Sequence, residues 1–369
     1  MSLSWVIAGG GTGGHFFSGV AISEAARLRD PGCKVVFVGT EAGIEGRIKE
    51  RDQIDIRYIS VSGLKGKSLP TRMWSMARLP VALAQSMNIL GRVKPDIVVG
   101  VGGYASGPLL MAAWLMGIPS AVMEQNSVPG YTNSVLARVV DRVFVGFPGT
   151  EEHFPAGKAV YTGNPIRPAV AERLTRTRDD VGGEGFHLLV FGGSQGAHHI
   201  NTAMPDALAQ LDPALADRIT VLHQTGEADL EDVRQAYARG GKADRVEVVP
   251  FIEDMAAAYG RADLVVCRAG AMTVAEITVC RLPSILVPFP YAIYNHQELN
   301  ARTLSDRGAA RLLLDSDMDG RRLASEIEGL AGDPAALERM AAAAAEIGRP
   351  AAGDDVAAQC EALAERRNG

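Results

Sequence analysis

The sequence predicts an α/β protein of two domains, each built on a parallel sheet covered by helices on both faces. Two apolar runs, at residues 5–15 and 187–197, lie about half the chain apart, and each ends in a glycine-rich turn. A helical pattern follows each turn, and short apolar strands then alternate with helices in both halves. A chain of 369 residues is also long for a single hydrophobic core, which favours two domains.

The predicted elements follow this alternation. In the first half, strands are expected at residues 5–8, 35–38, 97–101, 120–124 and 142–145, with helices such as 18–29 and 108–116. Residues 163–185 are polar and rich in glycine and proline, which is typical of a linker with a short helix. In the second half, strands are expected at 187–191, 219–224, 246–250, 264–267, 284–287 and 311–314, with alanine-rich helices from 319.

These patterns set the expected domain boundaries. We predict an N-terminal domain over residues 1–163 and a second domain over 164–345. A closing helix over 346–369 can pack back on the first domain. Ligands of open parallel sheets bind at the carboxyl ends of the strands, where both glycine turns lie. The chemistry is therefore expected in a cleft shared by the two domains.

Composition and charge exclude several classes of protein. The net charge is −6, which excludes a general binder of nucleic acids. The four cysteines form no CxxC pair, which fits a reducing cytoplasm and argues against a disulfide framework or a zinc site. No secretory leader pattern opens the chain, and the longest apolar stretch is far short of the ~20 residues of a membrane span. We therefore expect a cytoplasmic protein, which can still attach to a membrane surface.

The first glycine turn contains the pattern Gly9-x-Gly11-x-x-Gly14, with His15 directly after it. The pattern matches the dinucleotide fingerprint, but glycine turns bind many kinds of phosphate, so alone it is a weak signal. A dinucleotide site needs no imidazole at this position. His15 can act as a general base, hydrogen-bond a phosphate, or simply cap the helix.

The second half offers a set of groups suited to a sugar nucleotide. The turn at 192–197 supplies backbone N–H groups and the Ser194 hydroxyl to an anion, or is a packing turn of small residues. Glu276 follows another strand by one helical turn and can accept hydrogen bonds from two ribose hydroxyls. The segment 288–301 is dense in donors and acceptors, as recognition of sugar hydroxyls requires.

Two further signals have competing explanations. Asp315 and Asp317 have the spacing with which some glycosyltransferases hold a metal, although capping of the next helix by an aspartate explains them better. Residues 56–95 contain seven basic residues, many apolar ones and no acid. This segment suits an anionic membrane interface, or equally a helix packed on the sheet with a solvated rim.

An ordered set of motifs resembles one family across nearly the whole chain. The motifs are GGGTGGH, GVGGYASGP, EQN, GNPIR, FGGSQGA, CRAGAMTVAE and NHQELNA. They resemble the MurG family, the peptidoglycan N-acetylglucosaminyltransferases that convert lipid I to lipid II in cell-wall synthesis. The resemblance implies a GT-B fold, two Rossmann-like domains facing each other across a cleft. The C-terminal domain would hold UDP-N-acetylglucosamine, and the N-terminal domain would take the lipid acceptor.

The resemblance also implies roles for individual residues. His15 is implied as the general base, with Glu124 as the second choice, and Gly103 and Tyr104 are implied on the acceptor side. The residues implied to contact UDP-N-acetylglucosamine are Thr12, Gly13, Gly14, Asn126, Arg167, Ser194, Ile252, Ala271, Met272, Thr273, Val274, Ala275, Glu276 and Gln297. No metal and no cofactor are expected. The chain departs from the family at His296, where some members have a glutamine, and at Phe16, where many have a proline nearby.

The implied reaction is an inverting transfer of N-acetylglucosamine to the 4-hydroxyl of the MurNAc-pentapeptide of lipid I. The expected partners are UDP-N-acetylglucosamine, lipid I and the cytoplasmic face of the cell membrane, to which the protein would bind peripherally. Three alternatives remain at this point: a nicotinamide-dependent oxidoreductase, a sensor of sugar nucleotides without catalysis, and another GT-B enzyme such as a UDP-sugar 2-epimerase or a lipid glycosyltransferase.

Overall fold

The computed structural model describes residues 2–10, 13–40, 55–61, 79–172, 185–193 and 196–368. The chain divides into two compact units. Unit 1 comprises Met1–Pro168 and Pro350–Gly369, and unit 2 comprises Ala169–Arg349. Each unit is an α/β domain with one parallel sheet, which confirms the predicted fold class.

Unit 1 has a seven-stranded sheet with the spatial order β3-β2-β1-β4-β5-β6-β7. The strands are β1 Ser4–Ala8, β2 Lys34–Gly39, β3 Ile56–Tyr58, β4 Ile97–Gly100, β5 Ser120–Glu124, β6 Arg142–Val145 and β7 Ala159–Tyr161. Every neighbouring pair is parallel. The two edge strands, β3 and β7, were not predicted, because three residues are too few to show a strand pattern.

The helices of this part of the chain are α1 Gly13–Arg29, α2 Leu79–Val93, α3 Ser106–Leu115, α4 Tyr131–Leu136 and, at the unit boundary, α5 Pro168–Ala171. The sheet separates two cores. On β1, Trp5 and Ile7 face the core on the α1 side, whereas Val6 and Ala8 face the core on the α2 and α3 side. Helix α1 begins at Gly13 rather than at the predicted Ser18, so the glycine turn passes directly into the helix.

Unit 2 repeats this design. Its sheet has the order β10-β9-β8-β11-β12-β13. The strands are β8 Phe186–Phe191, β9 Ile219–Gln224, β10 Val246–Val249, β11 Leu264–Cys267, β12 Ser284–Leu286 and β13 Arg311–Leu312. The helices are α6 His198–Gln210, α7 Pro213–Ala216, α8 Leu230–Arg239, α9 Met255–Arg261, α10 Ala271–Val279, α11 His296–Ser305, α12 Gly320–Ala331 and α13 Pro334–Ile347.

The last helix, α14 Ala352–Asn368, belongs to unit 1 and packs against α1. Its apolar side, including Val356 and Cys360, is buried in the core on the α1 side of the sheet. The Arg29 guanidinium, at the end of α1, pairs with Asp354 at 2.8 Å and with Glu361 at 2.9 Å. The end of the chain therefore braces the helix that follows the first glycine turn.

The strand orders define where each unit can bind a ligand. In unit 1 the order reverses direction between β1 and β4, and in unit 2 between β8 and β11. Open parallel sheets bind ligands at such a switch point, beyond the carboxyl ends of the strands. Both glycine-rich turns leave the sheet at these points, since one follows β1 and the other follows β8.

A buried polar network stabilises unit 2 beneath its glycine turn. His223 on β9 is fully buried, with Nδ1 2.9 Å from the Tyr237 hydroxyl and Nε2 3.2 Å from Asn201 Oδ1. The Asn201 amide nitrogen donates to the Thr225 carbonyl and to the Asp229 carboxylate. The amide oxygen must therefore accept from His223 Nε2, which leaves Nδ1 to accept from Tyr237. His223 is thus neutral, and burial lowers its pKa to about 3.

This network predicts a specific dependence of stability on pH. Below pH ~6.5 the unfolded chain binds a proton at His223 that the folded chain does not, so stability falls by up to ~1.4 kcal/mol per pH unit as the pH drops toward 3. His223→Gln should flatten this slope. Circular dichroism during denaturant unfolding at about pH 7.5 and about pH 5 measures it. The three tryptophans, Trp5, Trp74 and Trp114, lie in unit 1, so their fluorescence does not report on unit 2.

The matched control is His153→Gln, which removes an exposed histidine of unit 1. This variant should keep the slope of the unmodified protein. Equal slopes in His223→Gln and the unmodified protein would contradict the assignment of a buried neutral imidazole.

Candidate active site

Side chains tie three loops of unit 1 together at the carboxyl end of the sheet. The Ser106 hydroxyl lies 2.9 Å from the Ala8 carbonyl oxygen and 2.7 Å from that of Gly102. It therefore links the end of β1 to the loop after β4. The Gln125 amide donates to the Val101 carbonyl at 2.9 Å, which links the loops after β4 and β5. These supporting roles could not be predicted from local sequence patterns, because the contacts to Ala8 and Val101 join distant parts of the chain.

His15 lies in the first turn of α1, and its ring packs directly against the backbone of Gly102. A Cβ atom at Gly102 would lie 2.8 Å from His15 Cδ2 and 2.9 Å from its Nε2. Gly103 has a φ of +79°, and its Cα packs against the Gly10 carbonyl in the first glycine turn. The two glycines therefore allow the predicted acceptor-side loop to pack on the first glycine turn and on the candidate base at the start of α1.

Glu124 closes β5 and is buried, with 2% of its surface exposed. Its Oε1 accepts from the Asn126 backbone N–H at 3.0 Å and from the Asn126 side chain at 3.4 Å. Its Oε2 accepts from the Gly130 N–H at 2.9 Å and from the Asn133 amide at 2.8 Å. Burial raises the pKa of Glu124, while these hydrogen bonds act in the opposite direction. Both oxygens are thus committed to holding the loop after β5.

The other predicted residues of unit 1 that the structure describes lie at the same end of the sheet or just beyond it. Tyr104 is half exposed, and the Arg167 guanidinium lies over the Phe17 ring at 5.4 Å. Gly13 and Gly14 form the first residues of α1. Thr12 lies outside the described residues, so its predicted contact stays a prediction.

In unit 2 the second glycine turn is held close to the end of β9. Gly196 has a φ of +77°, and its Cα packs against the Thr225 carbonyl, so a side chain there would collide with backbone. Thr225 is also the carbonyl that accepts from Asn201, so the His223 network supports the turn. Ser194 lies outside the described residues.

Helix α10 begins where β11 ends and carries six of the predicted donor-site residues. Glu276 is 9% exposed, and its Oε2 accepts from the Tyr259 hydroxyl at 2.8 Å. The Asn300 amide donates to the Ala269 carbonyl at 3.2 Å, which ties α11 to the turn before α10. Among the other predicted residues, the structure buries Ala271, Val274 and Ile252 and leaves Met272, Thr273 and Ala275 partly exposed.

Gln297 lies in the first turn of α11. Its Oε1 accepts from the Phe289 backbone N–H at 2.9 Å, which ties the side chain to the segment before α11. Tyr294 and Asn295, just before this helix, both adopt left-handed backbone with φ near +55°. This rare conformation fixes the direction in which α11 begins.

In the aspartate run 315–319, one aspartate caps the next helix, as the sequence predicted, and another binds neighbouring side chains. The Asp315 carboxylate pairs with Arg268 and with His199 at 2.9 Å, and these partners lower its pKa. The helix cap is Asp319, whose side chain accepts from the Arg322 N–H at 2.7 Å. Within the ranges that the structure describes, no group of three or more His, Cys, Asp or Glu residues could hold a metal ion.

Two parallel-sheet domains share the same order over six strands, and each has a glycine turn at its switch point, which defines a two-domain protein of the nucleotide-binding type. Residues 5–145 match the model of the glycosyltransferase family 28 N-terminal domain. Residues 187–355 match the model of the glycosyltransferase family 28 C-terminal domain. The chain belongs to glycosyltransferase family 28, whose fold is the GT-B class expected from the motifs.

The chain is also similar to individual proteins over nearly its whole length. The chain is 49% identical, over 96% of its length and 91% of the relative's, to the UDP-N-acetylglucosamine–N-acetylmuramyl-(pentapeptide) pyrophosphoryl-undecaprenol N-acetylglucosamine transferase of Myxococcus xanthus. It is 48% identical to the protein of the same name from an Anaeromyxobacter species, over 99% of this chain and 94% of that one. The crystal structure of Acinetobacter baumannii MurG superposes with a TM-score of 0.76 at 33% identity, covering 98% of this chain and 100% of that one.

The packing of His15 on Gly102 yields a prediction. Gly102→Ala should lower turnover about 10–100-fold, because the new methyl group displaces the imidazole from its position. Steady-state kinetics with circular dichroism on the same samples separates lost activity from lost folding. The matched control is Gly117→Ala, at a glycine with φ +63° and nothing within 4 Å of the added Cβ. Both glycines have a positive φ, +90° at Gly102 and +63° at Gly117, so both variants strain the backbone, and equal turnover would contradict the role of Gly102.

Proposed function

We propose that this chain transfers N-acetylglucosamine from UDP-N-acetylglucosamine to the 4-hydroxyl of the MurNAc-pentapeptide of lipid I, which forms lipid II with inversion at the anomeric carbon. The observation that carries the proposal is the 49% identity, over 96% of the chain, to a transferase named for this donor and acceptor. The described geometry is consistent with it, since polar and glycine-rich loops occupy the switch point of each domain.

In this proposal unit 2 binds the donor. The N–H groups of the turn after β8 and the N-terminus of α10 face the diphosphate, where helix dipoles favour negative charge. Ile252 contacts the uracil through its backbone, Glu276 accepts from the ribose hydroxyls and Gln297 donates to the sugar. These groups also stabilise the charge that develops on the departing UDP, so we expect no obligatory metal or cofactor. The donor contacts expected from Asn126 and Arg167 remain predictions.

Unit 1 supplies the general base, and the contacts of its two candidates favour His15. The four hydrogen bonds of Glu124 occupy both carboxylate oxygens, so an attacking hydroxyl would have to break one of them. The His15 ring lies at the start of a helix and packs on Gly102, next to the loop expected on the acceptor side. We assign His15 as the base and Glu124 as the residue that holds the loop after β5.

The proposed reaction is a single displacement. The oxygen of the acceptor's 4-hydroxyl attacks C1 of N-acetylglucosamine while His15 takes the hydroxyl proton. The bond from C1 to the diphosphate oxygen breaks as the new bond forms, and its electron pair leaves with UDP. Because attack and departure occur on opposite faces, the configuration at C1 inverts.

His15→Ala should lower kcat about 10²–10⁴-fold while leaving the dissociation constant for UDP-N-acetylglucosamine nearly unchanged, because a base acts on the acceptor hydroxyl. The assay uses radiolabelled donor and a lipid I analogue, with the anomeric configuration of the product determined. The comparison variant is Glu124→Gln, which points an amide at N–H donors and should cost about 1–3 kcal/mol of stability but retain most turnover when folded. Intact turnover in His15→Ala would remove this residue as the base.

The same assay separates the alternative functions. A nicotinamide-dependent oxidoreductase would bind NAD in preference to UDP in a calorimeter. A sensor would bind the sugar nucleotide but leave the lipid I analogue unmodified. A 2-epimerase would convert the donor without any acceptor. Transfer that requires both substrates is the outcome that the proposal expects.

The location at a membrane surface is a second part of the proposal. In the described part of the chain, no helix has the length and apolarity needed to cross a membrane. Helix α2 exposes Val81 and Met87, and the basic residues Arg92 and Lys94 at its C-terminal end are also exposed. These residues belong to the acid-free segment 56–95, part of which lies outside the described residues. The end of α3, which packs on α2, exposes Trp114 and Leu115 by about half. We infer that this apolar and basic surface docks on an anionic lipid surface.

Replacing Trp114 with Ala and Leu115 with Ser together should weaken binding to vesicles containing phosphatidylglycerol at least about 10-fold, because each side chain buries apolar area in the interface. Co-sedimentation measures the binding, and vesicles of phosphatidylcholine alone should bind weakly. Leu28→Ser is the matched control, since Leu28 is 73% exposed on α1, against the opposite face of the sheet. Equal binding by the double variant and the control would contradict the assigned surface.

A further inference from the structure

Tyr259 places a hydroxyl group inside unit 2, in direct contact with Glu276, the residue proposed to bind the ribose. It lies on α9, is 2% exposed, and donates to Glu276 Oε2 over 2.8 Å. Burial raises the pKa of Tyr259 well above its ordinary value, so the hydroxyl keeps its proton. A hydrogen bond to a carboxylate in a buried setting is among the stronger ones in proteins.

The ring of Tyr259 is held by two parts of the proposed donor site. It makes an edge contact with Phe191, with ring centroids 6.2 Å apart. Phe191 is the last residue of β8, immediately before the glycine turn expected to face the diphosphate. Helix α9 itself begins just after Ile252, the expected uracil contact, and is capped by the Asp254 carboxylate, which accepts from the Ala257 N–H at 2.8 Å.

We propose that Tyr259 is a positioning residue for donor binding. Its hydrogen bond to Oε2 holds the Glu276 carboxylate in the orientation in which it accepts from the ribose hydroxyls. The inference rests on the proposed ribose role of Glu276. Because Tyr259 touches neither the acceptor nor the reacting carbon in this arrangement, its loss affects donor binding rather than the chemical step.

The direct test is Tyr259→Phe, which removes one oxygen atom and keeps the ring. We expect KM for UDP-N-acetylglucosamine to rise about 10-fold, which corresponds to the loss of one hydrogen bond to a charged group. We expect kcat to stay within about twofold. Thr220→Val is the matched control, because it also removes one hydrogen-bonded hydroxyl of unit 2. The Thr220 Oγ1 lies 2.6 Å from His187 Nδ1 at the amino-terminal end of β9, away from the proposed donor site. This control should leave KM and kcat unchanged.

A role limited to stability would give a different result. Tyr259→Phe would then resemble Thr220→Val, with a lower melting temperature and an unchanged KM, and the proposal would be overturned. A donor analogue with a 2′,3′-dideoxyribose sharpens the comparison. The unmodified protein and Tyr259→Phe should bind this analogue equally well, since it has no hydroxyl for Glu276 to accept from. A persistent difference would place the effect of Tyr259 elsewhere and overturn the proposal.

Failure of this inference can be separated from failure of the proposed function. Glu276→Ala should raise KM at least as much as Tyr259→Phe. An unchanged KM in Glu276→Ala would remove the ribose assignment and the positioning role with it. A raised KM in Glu276→Ala alone would remove only the positioning role. If calorimetry gives the expected donor affinities but the lipid I analogue is not modified, the proposed reaction fails while the role of Tyr259 stands.

A measurement that leaves Tyr259 in place covers the case in which Tyr259→Phe does not fold. In protein labelled with 3-fluorotyrosine, one ¹⁹F resonance should shift both on addition of UDP and in the Glu276→Ala variant. That resonance would belong to Tyr259, the tyrosine that donates a hydrogen bond to Glu276. If no resonance responds to both changes, the proposal is overturned.

Discussion

Close approach of backbone to backbone at the carboxyl ends of the strands governs the geometry of both units. In unit 1 the loop after β4 packs on the first glycine turn and on the His15 ring, and Gly102 and Gly103 leave the space for both contacts. In unit 2 Gly196 packs on the Thr225 carbonyl in the same manner. A side chain at any of these positions would push apart the loops from which each site is built.

Buried polar partners fix the functional side chains on these loops. Glu124 holds the loop after β5 with both of its oxygens, and Glu276 is held by Tyr259. Neutral His223 joins Tyr237 to Asn201 beneath the second glycine turn. Groups of this kind are costly to bury without partners, so each one commits its neighbours to a single arrangement. Side chains held in this way lose little freedom when a substrate binds.

The two faces of the sheet in unit 1 are covered by different helices, which have different proposed roles. Helices α1 and α14 cover one face, and the Arg29 ion pairs join them behind the glycine turn. Helices α2 and α3 cover the other face and present the apolar and basic surface proposed to meet lipid. Because β1 directs alternate side chains into each layer, one strand anchors both the candidate catalytic loop and the candidate membrane surface.

Local patterns in the sequence determined the fold class, most central strands and both glycine turns. A strand buried on both faces has to be a continuous apolar run, and a strand-to-helix turn near a phosphate has to contain glycine, so these features can be identified without the structure. The ordered motifs also led to the family. The strands β3 and β7 could not be predicted from local patterns, and the predicted start of α1 was five residues too late. At these positions sheet pairing and helix packing outweigh weak local preferences.

Only the tertiary structure decided which groups support the site. Ser106, Gln125 and Tyr259 act on residues 17 to 98 positions away, and no spacing rule connects such pairs. The contacts of Asp315 with Arg268 and His199 could not be predicted from the sequence either. Hydrogen bonds form between atoms that the folded backbone brings together, and the sequence carries that information only through the fold as a whole.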